Sequence, residues 1–354
     1  MKLLFVENIA NVSYNLGKRL REKGYDVQLL TRHNPRAGCL DLASNSRESW
    51  VKIIKINSFH DKTIKYLQAM LSYDVDITHV HYALEQASWA LVARNLGRTK
   101  KVIVHCHGTD MRDVSRSSRY GWLVRLNLKH ADRVLVSTPD LLQHGAEFMP
   151  NPIDTNLFKP AKPSIDLHNG HDFALFCPSR LIWKHKHQDW FLMALRMLLN
   201  LGYDCNLTLI EYGCDLEKTR ALVKTLDLER NVCFVPPINP NEMPNYYNSC
   251  DIVWSQMGLG HLGLATLEAL ACNKLVLVDA RFDDAYSELA PVDRVYTVND
   301  IVNHTWLALT TGAFSNDSRW WIMKHHSYEA VLARLEAVYH QVLSLNSFVS
   351  PGPR

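Results

Sequence analysis

Short runs of apolar, largely β-branched residues recur along the chain, and between them lie longer segments with apolar residues at three- and four-residue spacing. Residues 3–6, 27–30, 77–80 and 102–105 show the first pattern, and residues 12–23 and 84–96 the second. Strand, helix and strand in this succession predict parallel β-α-β units. The alternation restarts after Asn151, with strand runs at 173–177, 207–210, 232–235, 252–254 and 275–278, each followed by a helix-period segment. Two doubly wound α/β domains follow from the repetition. Between them Pro150, Pro152, Pro160 and Pro163 disfavour helix and regular strand pairing, so the connection is read over residues 150–171. Residues 300–309 and 319–343 read as closing helices. The second carries Val331, Leu335, Val338 and Val342 on one face and is read as returning to the first domain.

A chain of 354 residues is long enough for two such cores. Its 39 basic and 36 acidic residues leave a net charge of +3, and 47% of positions are apolar. That is a soluble globular composition, and it lacks the positive charge that drives sequence-independent phosphate binding, so no nucleic-acid partner is expected. No window approaches the ~20 apolar residues of a membrane span, and the opening apolar run is too short for a secretory leader. The cytosol is the expected location. Eight cysteines without a Cys-x-x-Cys pair read as reduced packing residues.

The first strand runs into Glu7, Asn8 and Asn11 without the Gly-x-Gly-x-x-Gly turn of dinucleotide binding, and no Walker loop occurs. Asp74 and Asp76 lead into the run 77–80; they read as a polar strand entry, with a carboxylate pair for a divalent cation as the alternative. His79 and His81 share a strand face, but without a third ligand they read as packing or pocket lining. His107, Gly108 and Asp110 end a predicted parallel strand, where ligand crevices form: His107 offers a hydrogen bond or proton, Gly108 a close backbone approach, and Asp110 a cap. Arg180, Lys184 and Lys186 cluster before a helix start, where unpaired amides also favour anions, and a diphosphate fits such a site. Gly258, Gly260 and Gly263 precede another helix, in which Glu268 sits among Leu264, Leu267 and Leu270 and needs a polar partner such as a ribose.

In order and content these elements resemble the retaining GT-B glycosyltransferases, specifically glycosyltransferase family 4, over nearly the whole chain. The matching segments are His107-Gly108-Thr109-Asp110, Ala131-Asp132-Arg133-Val134, Asn151-Pro152-Ile153-Asp154-Thr155-Asn156-Leu157-Phe158, Ser179-Arg180-Leu181, Asn231-Val232-Cys233-Phe234, Tyr246-Tyr247-Asn248-Ser249-Cys250-Asp251 and Leu267-Glu268-Ala269-Leu270-Ala271-Cys272. The resemblance implies two Rossmann-like domains facing across a cleft: an acceptor-binding domain over 1–155, a nucleotide-sugar-binding domain over 156–318, and a helix over 319–354 that crosses back to the first. It implies sugar transfer from a nucleotide-diphosphate sugar to a glycan or lipid-linked acceptor hydroxyl, with retention and with no metal or other cofactor. Arg180 and Lys186 would then stabilise the diphosphate, with Lys184 beside them. Gly260, His261, Leu262, Gly263 and Leu264 would meet the donor, and Glu268 the ribose. His107 would face the reacting sugar, with Asn8, Asn11 and Asp110 on the acceptor side.

Three positions depart from the family pattern. Its Glu-x7-Glu pair would place an acidic residue at 260, which is glycine here. The glycine that usually follows the basic residue is His187, and Lys184 competes with Lys186, which is preferred by its spacing to Gln188 and Asp189. The glycine-rich turn after the first strand is absent. The segment 112–133, from Arg112 to Arg133, interleaves Arg116, Arg119, Arg125 and Lys129 with Tyr120, Trp122, Leu123 and Leu126. It reads either as a peripheral membrane contact or as an amphipathic scaffold helix. Two alternatives to transfer onto a glycan or lipid-linked acceptor remain: a catalytically degenerate protein that binds nucleotide sugar or glycan or supports a partner enzyme, and transfer onto modified nucleic acid. Donor base, donor sugar, acceptor and oligomeric state are not readable from these residues.

Overall fold

The computed structural model describes residues 1–32, 41–56, 59–114, 120–142, 145–282, 285–315 and 317–344, and in it the alternation resolves into two all-parallel sheets. The chain divides into two units, Met1–Pro152 with the segment beginning at Tyr328, and Ile153–Ser327.

Unit 1 runs β1 (Lys2–Val6), α1 (Val12–Glu22), β2 (Asp26–Arg32), α2 (Leu42–Asn45), β3 (Val51–Ile54), α3 (Phe59–Leu71), β4 (Val75–His81), α4 (Glu85–Asn95), β5 (Thr99–Cys106), α5 (Gly121–His130), β6 (Arg133–Val136) and β7 (Ala146–Phe148). The strand order is β3-β2-β1-β4-β5-β6-β7. Leu3, Leu4, Phe5 and Val6 are all buried, the mark of a parallel strand covered on both faces. On α1, Val12, Leu16 and Leu20 bury one face at four-residue spacing.

Unit 2 runs β8 (Phe173–Cys177), α6 (Trp183–Lys186), α7 (Gln188–Asn200), β9 (Cys205–Ile210), α8 (Leu216–Thr225), β10 (Val232–Val235), α9 (Met243–Ser249), β11 (Ile252–Trp254), α10 (Leu264–Ala271), β12 (Leu275–Val278), β13 (Asp293–Arg294), α11 (Val298–Thr311) and α12 (Arg319–His325). Its order is β10-β9-β8-β11-β12-β13. The proline-rich stretch before β8 packs on this unit. Phe158 and Leu167 enter its core, and the Ala161 amide donates to Asn248.

The single closing helix expected over 319–343 is two helices. α12 ends at His325, and α13 (Tyr328–Ser344) begins after a break. The break is tertiary in origin: the Ile153 amide donates to the His326 carbonyl at 2.7 Å, and Ile153 bridges Ser327. Trp321 of α12 lies in a unit 2 core, whereas Val331, Leu335, Val338 and Val342 of α13 pack with Phe5, Ile77 and Ile103 of unit 1. Each such buried side chain contributes roughly 1.5–3 kcal/mol, so α13 is part of that unit's core. Seven cysteines fall among the described residues, and all are unpaired thiols. No described helix is long and apolar enough to cross a membrane.

Candidate functional site

Open parallel sheets bind ligands beyond the carboxyl ends of their strands, where strand order reverses. In unit 2 that point lies between β8 and β11. The loop after β8 carries Arg180 and is pinned on both sides. The Leu181 amide donates to the Tyr212 carbonyl at 2.8 Å, and the Asp215 amide to the Leu181 carbonyl at 3.1 Å. Gln188, wholly buried at the start of α7, donates to the Arg180 carbonyl at 2.8 Å and accepts from the Ile182 amide at 3.2 Å. The backbone is thus fixed while the Arg180 side chain is exposed, its guanidinium 5.9 Å from the Tyr212 ring centroid.

α6 sends Lys184 to solvent and turns Lys186 inward, where its Nζ donates to Gln256 Oε1 at 2.8 Å, just beyond β11. Burial lowers the Lys186 pKa to about 8, and repulsion from Arg180 adds to the effect. Among the described residues neither cation forms an ion pair with a carboxylate. Two neighbouring positive charges without a counter-charge make a site for an anion.

The glycine-bearing loop after β11 is held equally closely. The Gly258 amide donates to Asp279 Oδ2 at 3.0 Å, and Asp279, 1% exposed, also receives the Arg281 guanidinium through two bonds of 2.9 Å. Gly260 has φ 71°, and its carbonyl accepts the Arg281 and Phe282 amides at 2.9 and 2.8 Å. A Cβ there would stand 2.8 Å from the Phe282 ring. The position expected to carry an acid in the family pattern is therefore shaped for glycine alone. His261 and Leu262 are buried, and Gln256 donates to the His261 carbonyl at 2.8 Å. Gly263 begins α10 without a side-chain cap, which leaves the first amides of that helix, from Leu264 onward, open to an anion. Glu268 follows a turn later and accepts the Tyr247 hydroxyl at 2.8 Å. Burial pushes its pKa up to about 7 against that bond.

The structure therefore joins Arg180, Lys186 and the glycine loop, and bonds Glu268 to Tyr247 rather than to either cation. Gln188, Tyr247, Gln256, Asp279, Arg281 and Phe282 were not apparent from sequence. Gln256 and Asp279 lie just beyond β11 and β12, and strand-end position was the one signal available for them.

Unit 1 reverses its order between β1 and β4. Glu7, Ala10 and Asn11 after β1, and Tyr82 after β4, have φ of 69°, 48°, 61° and 115°. Positive φ is rare for residues other than glycine, and at Tyr82 it marks stored strain. Asn8 accepts the Tyr14 amide at 3.1 Å and Asn11 the Leu42 amide at 3.0 Å, so both knit the turn to neighbouring helices. Asp110 is fully buried. It accepts the amides of His107, Gly108 and Met111 on one oxygen and of Ala83 on the other, which makes it the anchor of this loop. His107, half-buried at the end of β5, pairs its Nε2 with His81 Nδ1 at 2.8 Å, and burial holds its pKa at about 3. It is neutral at physiological pH.

The basic segment is divided by its own contacts. Arg112 is bound to Asp140 and Thr138, and Arg133 to Gln341. Trp122, Arg125, Leu126 and Lys129 share the exposed face of α5, while Arg116 and Arg119 lie outside the described residues. Asp76 bonds the Lys2 amide and Lys100 at the opposite end of the sheet from His107, as a strand entry does.

Two family models match the chain, "Glycosyl transferase 4-like domain" over residues 9–154 and "Glycosyl transferases group 1" over 159–283. The chain is 22% identical over 293 residues to N-acetyl-alpha-D-glucosaminyl L-malate synthase of Bacillus anthracis, covering 74% of this chain and 73% of that one. It is similar to the solved structure of sucrose-phosphate synthase from Thermosynechococcus elongatus, with TM-score 0.77, 15% identity, and 98% of this chain and 100% of that one covered. The UDP co-structure of S. aureus MnaA aligns with TM-score 0.61 and 14% identity over 99% and 98% of the two chains. At these identities the solved structures establish a shared fold.

Proposed function

We propose that this chain, which belongs to the family 4-like glycosyltransferases of GT-B fold, moves a sugar from a nucleotide-diphosphate donor to a hydroxyl of a glycan or lipid-linked acceptor, with retention and without a metal ion. The observation that carries the reading is the Arg180–Lys186 pair, two cations at the strand ends of unit 2 that form no ion pair with a carboxylate among the described residues. As the bond from the anomeric carbon to the diphosphate breaks, negative charge gathers on the leaving oxygen. Fixed cations and the first amides of α10 stabilise that charge as it forms. Lys186 spends one of its three N–H donors on Gln256 and keeps two for phosphate oxygens. Glu268, oriented by Tyr247, accepts from the ribose hydroxyls. His107, in its neutral form, hydrogen-bonds a sugar hydroxyl, and Asn8 and Asn11 belong to the acceptor side. The name of the Bacillus anthracis relative, a glucosaminyl malate synthase, supports sugar transfer as the reaction class.

One observation favours a second reading, nucleotide-sugar binding without transfer: at position 260 the Phe282 ring occupies the space an acidic side chain would need. A panel of UDP-, GDP- and ADP-sugars, read by thermal stabilisation, identifies the donor, because a ligand selective for the native state raises apparent stability. Transfer and donor hydrolysis are then measured for Arg180→Ala and Lys186→Ala. Loss of a charge-assisted hydrogen bond, about 1.5–3 kcal/mol, is expected to lower kcat/KM by about 10- to 150-fold in each. Unchanged rates in both variants would remove the diphosphate assignment, and donor binding without turnover would establish the second reading.

A further inference from the structure

On the face of the unit 1 sheet that α13 covers, β4 and β5 bring three histidines together. Alternate residues of a strand share a face, and His81 is paired in register with His105, so His79, His81 and His105 project side by side. All three are buried, at 0%, 0% and 1% exposure. Their ring centroids lie 4.4 Å (His79–His81), 5.1 Å (His81–His105) and 5.4 Å (His79–His105) apart. His79 Nδ1 pairs with the Tyr339 hydroxyl of α13 at 2.7 Å, and His81 Nδ1 with His107 Nε2 at 2.8 Å.

Those two bonds leave His79 Nε2 and His81 Nε2 without a hydrogen-bond partner in the interior, together with both ring nitrogens of His105. The Met149 backbone approaches His105 but lies outside hydrogen-bonding geometry. Native interiors rarely leave a polar atom unsatisfied, and here four imidazole nitrogens are so placed in one cluster. One nitrogen from each ring lies within 4.8 Å of the others.

We propose that His79, His81 and His105 form a binding site for one late first-row transition-metal ion of the zinc or copper class, separate from the diphosphate site of unit 2. Imidazole nitrogens are the preferred ligands of such ions. With metal–nitrogen bonds of about 2.0–2.1 Å at tetrahedral angles, two ligand atoms on one ion stand about 3.3–3.4 Å apart, so the rings must draw in by up to about 1.4 Å. The orientation of the outer nitrogens fits as well. Metal-bound histidines donate their second ring N–H to a fixed acceptor, and Tyr339 and His107 stand where those acceptors are needed. Because His107 is bonded to His81, an ion on His81 Nε2 would fix the tautomer and tilt of His107.

Protein stripped with a chelator is titrated with Co²⁺ alone, followed by visible ligand-field absorption, and Zn²⁺ is then used to displace it. The expected result is one ion per chain with a tetrahedral-type spectrum. His105→Gln should weaken binding at least tenfold, and Tyr339→Phe, which removes only an orienting partner, about tenfold. His304→Gln, a change on the surface of α11, should leave binding unaltered. The wild-type titration needs no variant to fold, so a missing saturable band overturns the proposal. Equal affinity in wild type and folded His105→Gln overturns it too, because the ion would then sit elsewhere.

Discussion

The Lys186 ammonium and the Gln256 side-chain amide meet at 2.8 Å, and through that bond the loop after β8 is tied to the loop after β11. Gln256 orients the lysine without discharging it. Gln256→Glu would place a carboxylate where the neutral oxygen now lies, pair it with Lys186 and compete with the donor diphosphate. The donor KM is expected to rise at least tenfold, consistent with about 1.5–3 kcal/mol for a hydrogen bond to a charged group. Gln256→Ala should have a smaller effect. Steady-state kinetics with the donor varied checks both.

The pH dependence follows from two groups moved in opposite directions. Lys186 is lowered from 10.5 to about 8, so raising the pH through that value discharges it, and on the proposed assignment diphosphate binding should then weaken. Glu268 is raised from 4.5 to about 7, so raising the pH through that value ionises it, and on the proposed assignment it should then accept ribose hydroxyls more strongly. A narrow bell in kcat/KM for the donor is expected, with limbs near these values, because that ratio reports groups of the unliganded enzyme. Glu268→Gln should remove the acid limb. Lys186→Arg should remove the alkaline one, since a guanidinium keeps its charge.

Restoring the acid of the family pattern at position 260 is expected to fail. Gly260→Glu forces a side chain onto a backbone at φ 71° and into the Phe282 ring. Left-handed geometry alone costs about 1–2 kcal/mol, enough to lower Tm by several degrees. Combining it with Phe282→Ala relieves the collision and should recover part of the loss, leaving the backbone cost. Thermal melts of the two single variants and the double variant measure that coupling.

On α5, Trp122 and Leu126 are 56% and 44% exposed, with Arg125 and Lys129 on the same face. A face of this composition suits the surface of an anionic bilayer, where a basic residue contributes roughly 1 kcal/mol. Co-sedimentation with phosphatidylglycerol vesicles should fall about fivefold or more in Arg125→Glu and should be relieved by salt in the wild type. Trp122→Ala should lower it independently of salt. Equal sedimentation by all three proteins would leave α5 as scaffold.

The strands were legible because a parallel sheet needs short apolar runs covered on both faces, and 3–6 and 173–177 meet that need without tertiary help. The end of α12 was not. Neither His326 nor Ser327 breaks a helix by its own chemistry; the break comes from Ile153, far away in sequence. Lys184 and Lys186 differ by two positions in sequence, and only the turn at α6 sends one to solvent and the other to Gln256. That Arg112, at the edge of the basic segment, is tied to Asp140 was not legible, because its partner lies well down the chain. His79 and His81 read as packing because their third companion comes from another strand, and the pairing of β4 with β5 is what supplies it.

Because α13 lies on β1, β4 and β5, the chain must be translated through Tyr328–Ser344 before those strands have their cover. Unit 2 is contiguous and can collapse as it leaves the ribosome, whereas the nascent unit 1 waits with Phe5, Ile77 and Ile103 bare on one side. A chain stopped just before Tyr328 would therefore keep the whole of unit 2 and lose only the cover of unit 1.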